Sequence, residues 1–107
     1  MRYRTAQRAI FKGMEKAVQP ARIGDFSGEV QYNLDGHLWV LRIADRQASA
    51  KLGRASNPVL TFHMSLATFA RIAAGEILAP QALLERKIEV EGDVRALARF
   101  SMIFGDR

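Results

Sequence analysis

Gly28-Glu29-Val30-Gln31-Tyr32-Asn33-Leu34-Asp35-Gly36-His37-Leu38-Trp39 is the stretch that decides the fold. Val30, Tyr32 and Leu34 alternate with Glu29, Gln31 and Asn33, the period of a strand that turns one face to a core. Asp35-Gly36 supplies the positive φ angles of a two-residue hairpin. The chain then resumes as a strand from His37 to Ala44, carrying Trp39, Val40, Leu41 and Ile43. Past a polar turn at Asp45 to Gln47, the run Ala48 to Gly53 is poor in β-branched residues and reads as a weaker strand near an edge. Pro58 to Met64 is a fourth strand, and the four are expected to form an antiparallel meander.

Upstream, Arg2 to Gln19 reads as a helix. Tyr3, Ile10, Met14 and Ala17/Val18 recur at three- and four-residue steps, while Arg4, Arg8, Lys12 and Lys16 line a different face. Pro20 is expected to stop it, and Ala21 to Ser27 to form a loop. Downstream the period changes. Ser65 can cap a helix from Leu66 to about Ala74, with Leu66, Phe69, Ile72 and Ala73 as its apolar stripe and Gly75 as its stop. Pro80 suits the start of a short helix running through Glu85. Lys87 to Glu91 alternates again, Ile88 and Val90 inward, and Gly92 ends that strand. Asp93 caps a last helix carrying Val94, Leu97, Phe100, Ile103 and Phe104. Helix, four strands, two helices, strand and helix make an α+β layout, one sheet covered on one face.

At 107 residues, with 49% hydrophobic and 25% charged side chains, the chain is expected to be one domain, residues 1–107, with a core of its own. Cysteine is absent, which excludes disulfides, zinc thiolates and cysteine nucleophiles. His37 and His63 fall on the outer phases of their strands and lack metal-ligand spacing. Glu89, Glu91 and Asp93 read as two outward strand residues and a helix cap. No serine sits in a nucleophile elbow, and no Gly-rich phosphate loop is present. The chain is expected to be no enzyme, without metal or cofactor.

Lys and Arg outnumber Asp and Glu by 16 to 11, a net charge of +5, which points to anionic partners. Nucleic acid is a weak candidate, because Tyr32, Trp39, Phe62, Phe69 and Phe100 all fall on inward phases rather than among exposed cations. Only Arg4, Arg8, Lys12 and Lys16 make a coherent stripe, either a solvated helix face or one that touches an anionic membrane surface or a partner. An apolar surplus remains, with Leu83-Leu84 in the short helix and Phe100, Ile103 and Phe104 in the last one. Composition favours ordinary core, the alternative is the lining of a ligand cavity, and periodicity does not separate the two.

Element order and wording together resemble the sterol-carrier-protein-two, or sterol-binding domain, family. The stretch Gly28 to Trp39 is similar to that family's opening hairpin. Leu60-Thr61-Phe62-His63-Met64-Ser65 with Phe69, Ala74-Gly75-Glu76 and Ala79-Pro80 resembles its sheet-to-helix segment. The sharpest likeness is Ala82-Leu83-Leu84-Glu85-Arg86-Lys87-Ile88-Glu89-Val90-Glu91-Gly92-Asp93, covering the apolar helix, short strand and Gly-Asp helix start. One departure stands out. The family usually has glycine just before the basic residue that opens the last strand, and here that glycine position is taken by Arg86. Either the pocket's mouth is altered or the backbone angle there is ordinary. The chain also ends at Arg107 without the C-terminal extension or peroxisomal address of longer members, so a short, bacterial-type cytoplasmic version is expected.

The resemblance implies a single mixed, mostly antiparallel five-stranded sheet with helices on one face and an apolar tunnel between the layers. It implies binding and carriage of a sterol, fatty acyl chain or isoprenoid without chemistry. Some relatives serve instead as accessory subunits that present a hydrophobic precursor to enzymes of isoprenoid-quinone biosynthesis. The residues best placed to line a tunnel here are Trp39, Leu41, Phe62, Phe69, Ile72, Leu83, Leu84, Ile88, Val90, Leu97, Phe100 and Phe104, each by apolar contact.

Overall fold

The computed structural model describes residues 3–103, with side chains from Thr5 onward. Helix α1 (Tyr3–Ala17) precedes a short α2 (Pro20–Ile23), then strands β1 (Gly28–Leu34), β2 (His37–Ala44), β3 (Gln47–Leu52) and β4 (Leu60–Met64). Helices α3 (Leu66–Ala73) and α4 (Ala79–Leu84), strand β5 (Ile88–Gly92) and helix α5 (Val94–Ile103) complete it. Pro20 does not simply end the first helix. Its fixed φ and missing N–H suit the first turn of a helix, and it opens α2.

The hairpins form where turn chemistry demands them. Asp35 and Gly36 take φ of +53° and +88°, and the next turn repeats the pattern at Asp45 and Arg46 with +54° and +61°. The antiparallel meander ends at β3, however. The sheet order is β3-β2-β1-β4-β5, and β4 lies parallel to β1, Val30 beside Leu60 and Leu34 beside Met64. The sheet is mixed and five-stranded. Burial explains the placement: β4 buries Leu60 and Phe62 and needs a neighbour on both sides, whereas β3 is mostly exposed and fits an edge. Helix α1 lies along that edge, where Glu15 Oε2 accepts from the outward-facing Ala50 N–H at 2.5 Å.

Residues 53–59 carry the chain from β3 back to β4 across the helix-free face. Gln31, read from its alternation as an outward polar residue, is buried beneath this crossover at 5% exposure. Its Nε2 donates to Trp39 O (2.9 Å) and Gly53 O (3.0 Å), and its Oε1 accepts from Ala55 N–H at 2.6 Å. The neighbouring Val40 is sealed in the same way, at 1%. At the far end, Val59 N–H donates to Glu29 O, which sets the parallel register.

Ser65 caps α3 by accepting from Thr68 N–H, and Asp93 Oδ1 accepts from Arg95 N–H at the start of α5. Arg99 of α5 pairs with Asp25 at 2.7 Å, holding that carboxyl below its usual range, and lies over the Phe26 ring. Helices α3 and α4 end alike. In α3, Gly75 N–H bonds Ile72 O and Glu76 N–H bonds Arg71 O; in α4, Arg86 N–H bonds Leu83 O and Lys87 N–H bonds Ala82 O. This termination requires a left-handed residue after the cap. Gly75 supplies it at φ +78°, while Arg86 is forced to +61°. The angle at Arg86 is therefore not ordinary, and its β-carbon costs about 1 kcal/mol there. Arg86→Gly is expected to raise the urea midpoint by a corresponding amount with an unchanged slope.

Candidate functional site

One transverse row of the sheet faces the helices. Trp39 on β2 pairs with Tyr32 on β1, Tyr32 with Phe62 on β4, and Phe62 with Val90 on β5. Strand register alone aligns them, because every member has the same pleat phase. The helical layer answers with Phe11 from α1, Phe69 from α3 and Phe100 from α5. Phe11 stacks on Trp39 with centroids 4.5 Å apart, meets Tyr32 edge-on at 5.3 Å and Phe69 at 5.2 Å. Tyr32 and Phe62 are 5.3 Å apart, and Phe62 and Phe100 5.7 Å. The rings form one continuous apolar slab between the layers, and each such pair contributes about 1 kcal/mol beyond simple burial.

Two polar groups enter this slab. Burial pushes the Tyr32 hydroxyl well above its usual pKa, so it stays neutral at physiological pH. Gln7 of α1 is 3% exposed, and its Oε1 accepts from Trp39 Nε1 at 2.7 Å. Outside them, the Arg8 guanidinium lies 5.8 Å from the Trp39 ring centre, a cation over an aromatic face.

Of the residues expected to line a tunnel, Trp39, Leu41, Phe62, Phe69, Ile88 and Phe100 are buried, and Ile72, Leu83, Val90 and Leu97 are half-buried against the same core. Leu84 is not among them. It is 86% exposed, because α4 turns Ala82 inward and its last residue faces solvent. Val94 is likewise exposed, and Phe104 lies outside the described residues. Phe11 and Gln7 were missed. The buried face of α1 runs through Gln7, Phe11 and Met14 and continues to Val18 just past its end, steps of four, three and four, and a glutamine in that series reads as solvent-facing.

The helix-free side carries different chemistry. Asn33 Nδ2 lies 3.2 Å from His63 Nδ1, and His63 Nε2 lies 2.5 Å from Glu91 Oε2. Two clefts of about 340 and 280 Å³ share Asn33 and His63 as walls, one reaching Arg86 and Lys87, the other Arg54 and Thr61. The first lining is mostly polar, the second also takes in Leu38, Ala55 and Pro58, and neither contains any of the slab's rings.

A model of the SCP-2 sterol transfer family matches residues 8–105. The chain belongs to that family. Among solved structures, sterol carrier protein 2 like 2 of Aedes aegypti superposes with a TM-score of 0.75 at 21% identity, covering 94% of this chain and 97% of that one. The same mosquito protein solved as a palmitated form gives 0.75 at 22%, covering 92% and 93%. A stereoselective sec-alkylsulfatase of Pseudomonas sp. matches with 0.71 at 14% identity, over 87% of this chain. This SCP-2 domain spans only 15% of the sulfatase's length. A ubiquinone synthesis protein, UbiJ-SCP2, matches with 0.57 at 13% identity, over 86% of this chain and 77% of that one. At these identities the likenesses establish the fold. No curated protein matches this SCP-2 sequence.

Proposed function

We propose that this SCP-2 domain binds a lipid between its helical layer and its sheet and carries it, without chemistry, in the cytoplasm. The observation that carries the reading is the slab itself, an unbroken series of rings drawn from three strands and three helices. The rings already touch, so a ligand enters by parting the helices from the sheet and replacing ring-to-ring contact with ring-to-chain contact. Trp39, Leu41, Phe62, Phe69, Ile72, Leu83, Ile88, Val90, Leu97 and Phe100 are the residues we assign to contact with it. Exchange of apolar contacts of this kind costs little, since burial is about 25 cal/mol per Å² whichever surface does the covering. The palmitated form of the mosquito relative supports the reading, as does family membership.

Delivery would use α1. Arg8, Lys12 and Lys16 are exposed on it, and such a stripe is drawn to anionic lipid surfaces, by about 1 kcal/mol per cation near the surface. No helix among the described residues is long and apolar enough to cross a membrane. A second reading is favoured by the fold shared with UbiJ-SCP2: an accessory subunit that presents a hydrophobic precursor to a partner enzyme.

Native mass spectrometry of the purified protein, followed by organic extraction, tests the proposal. The expected result is one acyl or prenyl species per chain, handed faster to anionic than to neutral vesicles. A bare mass with no uptake from a lipid mixture overturns it and leaves the accessory reading in front.

A further inference from the structure

Gln7 holds the one side-chain nitrogen among the described residues that is buried without a hydrogen-bond partner. Its orientation follows from its neighbour. Indole Nε1 can only donate, so the amide oxygen must face Trp39 and Nε2 must point the other way. The result is a donor at the end of the aromatic row, beside Trp39 and Phe11, where apolar rings offer it nothing. Such a group is costly in a low-dielectric interior unless something accepts from it.

Resting on the lipid-carrier reading above, we propose that Gln7 is the polar anchor of the ligand and that Nε2 donates to a carbonyl oxygen on it. The acceptor type follows from the same inventory. A hydroxyl brings a proton that needs its own acceptor, which the rings beside Nε2 do not supply. A carbonyl oxygen needs only a donor. The ligand class is therefore an ester or ketone lipid rather than bare hydrocarbon, bound with its oxygen at the α1–β2 seam and its chain along the slab. Gln7 makes the site selective; the rings supply apolar contact that any chain of the right length satisfies.

The test offers the protein an equimolar mixture of methyl palmitate and heptadecane from neutral vesicles and reads the occupancy of each by extraction and mass analysis. The wild type is expected to take the ester about tenfold in excess, the worth of one buried hydrogen bond. Gln7→Met made together with Trp39→Phe, which removes the donor and leaves no indole N–H unpaired in its place, should bring that ratio close to one. Gln7→Leu, again with Trp39→Phe, provides the same comparison in a second background. A ratio taken within one sample is unmoved by partial unfolding, which lowers both occupancies together. Equal uptake of the two by the wild type, or an ester preference that survives in both variants, overturns the assignment of Gln7 and leaves the lipid carrier intact. Uptake of neither lipid by the wild type overturns both.

Discussion

Gln31→Leu is expected to lower the stability by about 3 kcal/mol. Leucine fills the same volume but abandons Trp39 O, Gly53 O and Ala55 N–H, each of which the amide now satisfies. Removing one partner of a buried hydrogen bond costs about 1–3 kcal/mol for the group left behind, and water reaching the lifted crossover recovers part of it. Urea unfolding should show the lower midpoint. Hydrogen exchange should show where the loss falls, in the Ala55 amide ahead of amides in the β1–β2 hairpin. A variant whose Ala55 amide stays protected would mean that the crossover is held by its two ends alone.

Gly92→Ala is expected to cost a similar amount for a different reason. Gly92 sits at φ +131°, and a β-carbon there would overlap the Val59 carbonyl oxygen and stand 3.0 Å from Leu60 Cδ2. The carbonyl is backbone at the end of the crossover and cannot swing aside, so strain and overpacking add to about 3 kcal/mol. Gly75→Ala isolates the backbone contribution. Its φ is +78°, but nothing lies within 4 Å, and the expected loss is only about 1 kcal/mol. Thermal melts of the two variants should separate by several degrees. Equal melting temperatures would show that the β5 end moves to accommodate the methyl group.

The parts of the fold legible in the chain are those decided within a few residues. Asp35-Gly36 must turn, Ser65 and Asp93 must cap, and the alternation through β1 and β2 must face one side inward. What local pattern leaves open is which strand lies beside which. β4 reads identically as a strand next to β3 or next to β1, and only the exposed character of β3 argues for the second. The same gap explains Gln31. Alternation assigns it to the face away from the helices, correctly, but the cover on that face comes from a loop in sequence far beyond it. Among the site residues, the strand members were legible because pleat phase and burial coincide. Leu84 was not, since two adjacent leucines on a short helix cannot both face inward. Gln7 was hidden by its own chemistry, a polar side chain whose burial follows from the indole it serves.

The Glu15 carboxylate on the Ala50 amide has a consequence for assembly. A sheet grows by offering unpaired amides and carbonyls along both margins, and a fibre needs both. Here the β3 margin is occupied by the protein's own helix, so at most one margin is open to another strand. Copies meeting through that margin would consume it, and the assembly would terminate as a pair. One acidic side chain on the first helix thus takes up an edge amide that a neighbouring strand would otherwise use.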